Sequence, residues 1–535
     1  MTLPRSVADV LADHVSMELE CIDRMYLNVY QPKLMWPGGV VGFFKGHRGQ
    51  PFASSALMDP ISKDFVAAIH RFVKTEGVDL VHFGAGERKD DVAQSYLAGH
   101  DGSEGILFVG RAQEKTKVFR TEKRSNPTTG STYPWIVTGT AMVNTFYFYG
   151  FDGDFGPFFL KFGTYFPYTG KLCINGHHWA QRQAAKAGID FEALDNGFAS
   201  CDDPTRLQRI CDALSPARID RLARKWLGRL PHPFTPADRR AGYRYDLSVL
   251  QAEFSLTQVL DRPVAGRVFF EEVIRDNLDI GRPDRVSLVF DRRVSRRTPG
   301  RFRTRVITEG VTPSLHVDYK HTKIKQYHKL NAALRTETTI NDSRDFGIGR
   351  RLVNLPALRE VGFSANRRLL DVQRASAHPS LGEDAFAQLN QPVVIDSQRA
   401  PALRFGLPRT HALLQAFLLF ALQPHGFVNR DLRQHLAGLL GIPPDTLTPG
   451  KMSYQLRQAR MHGIIARYPH TNRYHLTPFG LRAALHYTLL YNRLLRPNMG
   501  QIVGPSPPTP TALRRDLDRL EATIDDLISR AKLAA

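Results

Sequence analysis

The sequence predicts a multi-domain α/β (α+β) chain in which a mixed sheet core is followed by an α-rich C-terminal unit. Three observations predict it. At 535 residues the chain exceeds what one hydrophobic core normally organises, so two to four domains are expected. Residues 36 to 120 alternate strand-like runs, VVGFF and GILFVG, with the helical stretch ISKDFVAAIHRFVKTEG, which is the rhythm of an α/β layer. Residues 133 to 175 are aromatic and β-like, and DGDFGP between FYFYGF and FFLKFGTYF predicts a hairpin turn.

From Trp179 to Asp279 the pattern turns helical. The segments are DPTRLQRICDALS, with Asp203 before Pro204 as its start, and DLSVLQAEFSLTQVLD, which places Glu253 on a helix. Strand signals return at 281 to 310, and HVDYKHTKIKQYHK followed by ALRTETTI reads as a second hairpin. Strict alternation along HVDYKHTKIKQYHK sets Lys323, Lys325 and Tyr327 on one face, and His316, Asp318, Lys320, Thr322, Ile324, Gln326 and His328 on the other. Residues 351 to 376 read as helix and 377 to 402 as loop.

Beyond residue 403 the order is helix, helix, helix, hairpin, helix. RTHALLQAFLLFALQ ends near Pro424-His425-Gly426, and Asn429 is placed to cap NRDLRQHLAGLL. The third helix, TPGKMSYQLRQARMH, has Thr448 at its N-cap and Pro449 at its first position. Met452, Leu456 and Ala459 then pack inward, leaving Lys451, Ser453, Tyr454, Arg457, Gln458 and Arg460 outward. IIARYPHTNRYHLT supplies a hairpin carrying Arg467, His470 and Arg473. This is the order of a winged helix-turn-helix, whose third helix suits a major groove and whose wing suits phosphates or the minor groove.

The expected domains are therefore 1–280, an α/β and helical main domain, and 281–402, a basic β-hairpin region with a helix. A winged helix-turn-helix follows at 403–497, then a Pro-rich linker at 498–511 and a short amphipathic helix at 512–535. The last helix places Leu513, Leu517, Leu520, Ile524 and Leu527 on one stripe, which, like the winged helix, offers a surface for homodimerisation.

Charge narrows the partner. Lys plus Arg number 72 against 52 Asp plus Glu, a net +20 that concentrates polyanions around the protein. DNA or RNA is the expected partner, and no membrane is: neither a lipidation signal nor a run of about 20 apolar residues occurs. The lack of a long apolar h-region near the N-terminus and of a membrane-length apolar run predicts a cytoplasmic protein, and Cys21, Cys173, Cys201 and Cys211, too few and scattered for a disulfide framework, are expected to be reduced. Neither G-x-x-x-x-G-K-[ST], G-x-G-x-x-G nor G-x-S-x-G occurs, so ATP, NAD and serine-hydrolase chemistry find no support.

The candidate nucleic-acid contacts begin with Arg292, Arg293, Arg296, Arg297, Arg301, Arg303 and Arg305, whose guanidinium forks match phosphate geometry. Lys320, Lys323, Lys325 and Tyr327 follow, where cations interleaved with tyrosine suit a platform that holds phosphates and stacks bases. Lys451, Ser453, Tyr454, Arg457, Gln458, Arg460, Arg467, His470 and Arg473 complete the set. Should the front part be a metal-dependent enzyme, Asp90, Glu114, Glu253 and Glu337 are the expected catalytic acids, converging on Mg²⁺ opposite the arginine run. Asp152 and Asp154 instead suit the hairpin turn, and Cys173, His177, His178, Cys201 and Cys211 fit no tight zinc module.

Three resemblances accompany these readings. The ending G-I-I-x-R-x-x-x-T-N-R-Y-x-L-T-x-x-G resembles the MarR-like and ArsR-like winged-helix families over roughly 95 residues. K-x-x-x-Y-x-K followed by L-R-x-E resembles the central sheet of some plasmid and phage replication initiators. The whole chain resembles a widespread bacterial protein family through Y-F-P-Y at Tyr165, N-G-H-x-W-A-x-R-Q at Asn175, Y-K-H-x-x-I-K-Q-Y at Tyr319 and L-R-T-E-T-T-I-N at Leu334. That last resemblance implies a common architecture and leaves mechanism open. The readings that follow are processing of DNA or RNA of a mobile or extrachromosomal element, non-catalytic RNA binding in a ribonucleoprotein, and a winged-helix DNA-binding regulator.

Overall fold

The computed structural model describes residues 14–84, 86–262, 303–307, 314–329, 332–377, 383–395, 397–404, 407–421 and 426–491, with Arg519 and Thr523. The Arg292 to Arg301 run, the Pro-rich linker and nearly all of the terminal helix fall outside these residues. The chain divides into two compact units, Met1–His378 with Ala421–Gly426, and Pro379–Phe420 with Phe427–Ala535. The predicted α/β (α+β) multi-domain class is observed.

The first unit is built on β1 (Val15–Tyr30), β2 (Asp79–His82), β3 (Gly105–Ser125), β4 (Thr132–Asp152), β5 (Gly156–Gly163), β6 (Gly170–Asn175), β9 (Asp246–Leu260), β10 (Arg303–Ile307), β11 (Ser314–Tyr319), β12 (Thr322–Lys329) and β13 (Ala333–Ile340). They form one 11-stranded sheet in the order β10-β11-β12-β13-β9-β1-β6-β5-β4-β3-β2. The β2–β3 pair is parallel and every other neighbour antiparallel. A separate hairpin, β7 (Phe191–Leu194) and β8 (Gly197–Cys201), turns at Asn196.

The two sheet faces differ because side chains alternate along each strand. On one face Ile22, Met25, Leu27, Phe146, Phe148, Leu160, Phe162, Leu172, Ile174 and Phe254 are buried. The helix Ser55–Glu76 covers part of it, with Phe65 6.3 Å from Phe162 and Phe72 5.9 Å from Phe148 between ring centroids. The helix Leu355–Ala377 covers another part through Phe363, 5.6 Å from Phe254. That approach requires Gly362, where a Cβ would stand 2.2 Å from the Phe254 ring.

Several local expectations hold. DGDFGP is the β4–β5 turn, closed by Asp152 against Gly156, and Asp203 caps Pro204–Asp212 by accepting the Arg206 N–H at 2.9 Å.

Others are corrected. VVGFF is helical, within Pro37–Gly42 and Phe43–His47, because Pro37 opens a helix after extended Trp36. DLSVLQAEFSLTQVL is strand β9, not helix: a central strand buried on both faces shows a run of apolar residues that periodicity cannot separate from a helix. HVDYKHTKIKQYHK is two strands, since the chain reverses at Lys320 (φ 49°) and His321. His316 and Asp318 therefore pair with Lys325 and Lys323 and share their face. Residues 377 to 402 contain the helix Glu383–Asn390 and a small hairpin, β14 (Val393–Ile395) with β15 (Gln398–Ala400).

The second unit continues with the helix Pro408–Ala421, β16 (Phe427–Val428), helices Asn429–Leu440 and Pro449–Met461, β17 (Ile465–Arg467), β18 (Arg473–Leu476) and the helix Pro478–Leu490. Its sheet order is β16-β18-β17. Thr448 caps the third of these helices by accepting the Lys451 N–H, and Met452, Leu456 and Ala459 are buried beneath it. Val428, not Asn429, is the N-cap of the second; the Asn429 amide instead donates to Pro449 O and Ser453 Oγ, at 3.1 and 3.0 Å.

Candidate functional site

The opposite face of the large sheet is polar from β12 to β6, gives way toward β3 to an aromatic cluster of Phe108, Tyr147, Tyr149 and Phe159 beneath Val92 and Tyr96 of the helix Lys89–Ala98, and the register determines which groups share it. Lys323, Lys325 and Tyr327 of β12 lie opposite Thr339, Glu337 and Arg335 of β13. Glu337 and Arg335 then pair with Ser255 and Thr257 of β9. A register shift in β1 between Ile22 and Met25 places both Asp23 and Arg24 opposite Glu253. Beyond the shift, Arg24, Tyr26 and Asn28 lie opposite Asn175, Cys173 and Lys171 of β6. The row continues through Lys161 of β5 to Tyr147 of β4, whose hydroxyl reaches along the face to Glu114 of β3, four residues beyond its register partner Gly110.

Arg335 anchors one end and is fully buried. Its Nη2 donates to Asp23 Oδ2 at 2.6 Å, its Nε lies 2.8 Å from Glu337 Oε1, and its Nη1 donates to the Asn196 carbonyl. Asn196 sits at φ 55° in the β7–β8 turn, and its side-chain amide donates to Asp23 Oδ1 at 2.6 Å. Burial, the largest single influence, opposes the Asp23 charge, but Arg335 together with the Asn196 amide and Lys329 outweighs it and holds the carboxyl below its ordinary range. His177 Nε2 lies 3.0 Å from Ser255 Oγ and 2.9 Å from Arg335 Nη2; burial, then Arg335, hold the ring well below its usual pKa, so it is neutral. Lys329 donates to Asn196 O at 3.2 Å, and burial beside Arg335 lowers its pKa to about 8.

Tyr327 donates to Glu337 Oε1 at 2.8 Å, while Lys325 Nζ stands 4.1 Å above the tyrosine ring. Burial raises the Glu337 carboxyl against the pull of Arg335. Burial, then the Asp23 charge, push Glu253 up to about 7, and Gln251 donates to it at 2.8 Å.

The other end is a knot around Glu114. Lys161 and Lys89 reach its carboxylate at 2.6 and 3.0 Å, and the Tyr147 hydroxyl donates to it. Both lysines also donate to that hydroxyl, at 2.9 and 2.6 Å. Burial opposes ionisation of Glu114, yet the lysines win and its pKa falls. Lys89 opens the helix Lys89–Ala98, so this helix borders the polar face at one end as the Asn196 turn does at the other.

The four candidate acids thus separate. Glu253 and Glu337 are neighbours at the Arg335 end, Glu114 belongs to the lysine knot, and Asp90 is exposed on the bordering helix. Among the described residues no three His, Cys, Asp or Glu side chains gather as a metal site. The expected convergence on Mg²⁺ is therefore not found there, because strand register spreads these acids across the sheet. Arg303 and Arg305 lie on edge strand β10; Arg292, Arg293, Arg296, Arg297 and Arg301 lie outside the described residues. Lys320 and Lys323 are exposed, Lys325 and Tyr327 half-buried.

Arg24, Tyr26, Lys161, Lys171 and Arg335 escaped sequence reading. A usable signal existed in the alternation of Cys21, Asp23 and then Arg24, Tyr26, Asn28 against apolar neighbours, broken only by the bulge.

In the second unit Lys451, Ser453, Tyr454, Arg457 and Arg460 are exposed. Gln458 is committed internally, donating to Pro401 O at 2.9 Å, and Arg457 donates to Arg399 O at 3.1 Å. Ser453 is held by Asn429. Arg467 fastens the hairpin turn through Thr471 O and Asn472 Oδ1, and His470 is exposed there at φ 56°, whereas Arg473 is half-buried. No helix among the described residues is long and apolar enough to cross a membrane.

No family model matches the sequence, and no curated protein matches it. Among solved structures, the rolling circle replication initiator protein from Geobacillus stearothermophilus aligns with 61% of this chain and 76% of its own, at 9% identity and a TM-score of 0.18. Similarity at that level does not establish a common fold.

Proposed function

We propose that this chain binds nucleic acid, with a single strand lying along the polar face of the large sheet and the C-terminal unit acting as a winged helix on duplex. The observation that carries the reading is the face itself: Lys323, Lys325 and Tyr327 of β12 share it with Arg24 and Tyr26 of β1, Lys171 of β6 and Lys161 of β5, with β13 and β9 lying between β12 and β1. Cations meet phosphates there while rings offer stacking surface. The net charge of +20 adds long-range attraction for such a ligand. Processing of DNA or RNA from a mobile or extrachromosomal element is the context we favour.

In the second unit, the exposed Lys451, Tyr454 and Arg460 on one capped helix support duplex contact. The test compares single-stranded DNA, duplex DNA and RNA binding by the full chain over a range of salt. Tight single-strand binding that weakens steeply with salt is expected. Absence of affinity for all three at low salt would overturn the reading, and binding confined to one duplex sequence would favour a regulator.

A further inference from the structure

The cations of the polar face are not alike in their partners. Arg335 has Asp23 and Glu337, while Lys89 and Lys161 share Glu114. Arg24 and Lys171 differ: both are half-buried, and among the described residues neither forms an ion pair within 4 Å, Arg24 having the Tyr26 hydroxyl as its partner and the Glu253 charge across the strand pair at longer range. The register partner of Lys171 is Lys161, a like charge. A half-buried cation beside another cation costs free energy that an anion would offset.

We propose that Arg24 and Lys171, with Tyr26 between them, form a subsite for the phosphodiester backbone of a single-stranded polynucleotide, an inference that rests on the nucleic-acid reading above. Along β1 the position opposite Lys171 is Asn28, four residues from Arg24, or about 13 Å of strand. That span suits a stretch of backbone carrying more than one phosphate. Tyr26, packed edge-on against Phe159 at 6.2 Å, supplies an aromatic group between the two charges. The helix Lys89–Ala98 and the Asn196 turn flank this face, Lys89 reaching Glu114 and Arg335 reaching Asn196 O, and a half-buried floor between them suits a flexible single strand better than a rigid duplex.

The experiment measures binding of a fluorescent thymidine oligonucleotide to the full chain across salt. Wild type is compared with Arg24→Gln, Lys171→Gln, both together, and a Lys323→Gln/Lys325→Gln reference. Each subsite substitution should reduce the slope of log affinity against log salt by about 0.7, the value for one single-strand phosphate contact. Protection of Lys171 from amine-reactive labelling by the oligonucleotide, read by mass spectrometry on unmodified protein, is expected as well, and does not depend on a variant folding. A wild-type slope in both subsite variants, with Lys171 labelled equally with and without oligonucleotide, overturns the subsite while the reference variant still tests the platform. Displacement of the oligonucleotide by inorganic phosphate at matched ionic strength, lost in the double variant, would reassign the site to free phosphate. No binding by wild type would instead overturn the broader nucleic-acid reading.

Discussion

Arg335 of β13 and Asp23 of β1 meet at 2.6 Å although strand β9 lies between their strands. The guanidinium reaches over Ser255 and Thr257, so one fork ties three central strands and the Asn196 turn together. Arg335→Met leaves Asp23 buried without its cation and should cost about 3–5 kcal/mol of stability, the usual penalty for halving a buried pair. Denaturant unfolding measures this. A loss below about 1 kcal/mol would mean that solvent or a rearranged neighbour replaces the pair.

The carboxyl of Glu253 gives a pH-dependent prediction. Its pKa is raised to about 7 by burial, then by Asp23. A carboxyl raised on folding favours the native state most below its unfolded pKa, and that advantage is lost as pH climbs through the folded value. Glu253→Gln, which cannot ionise, should therefore match wild type near pH 4 and be more stable at pH 8, by an amount on the order of a few kcal/mol. Melting temperatures at pH 4, 6 and 8 decide it. A difference independent of pH would show that folding does not raise the Glu253 pKa.

Legibility in the sequence followed how local the determining physics was. The β4–β5 turn, the Asp203 and Thr448 caps and the inward stripe Met452, Leu456, Ala459 were readable because each depends on a few adjacent residues. Strand β9 was misread because burial on both faces erases the period of two. The polar site was only half readable: Lys323, Lys325 and Tyr327 alternate within one strand, whereas Arg24 and Lys171, far apart in sequence, come onto one face only through β1–β6 pairing. Nothing in either segment announces that pairing.

Gly362 should tolerate no side chain. A Cβ there would fall 2.2 Å from the Phe254 ring, which is itself fully buried. Gly362→Ala should lower stability by about 1–3 kcal/mol, as overpacking does in a close-packed core. A neutral or stabilising result in equilibrium unfolding would place the helix Leu355–Ala377 farther from the sheet.

On the proposed reading, the third helix of the C-terminal unit carries scaffolding and duplex-contacting side chains that can be told apart. Gln458 donates to Pro401 O at 2.9 Å and also to Ala402 O, joining the helix to the segment after β15. Arg460 is exposed on the same helix. Gln458→Ala should therefore reduce the stability of this unit by about 1 kcal/mol, the net value of a lost internal hydrogen bond, while the affinity of the folded protein for duplex is unchanged. Arg460→Ala should do the reverse, leaving the melting temperature alone and weakening binding to a preferred duplex by about 1–3 kcal/mol if it contacts a base edge. Loss of a phosphate contact would instead weaken all duplexes alike and reduce the salt slope by about 1. Binding assays on two unrelated duplexes across salt, paired with melting curves, distinguish these outcomes. Unchanged affinity and slope in Arg460→Ala would remove this side chain from the duplex surface, and the same result in Lys451→Ala and Tyr454→Ala would remove the helix.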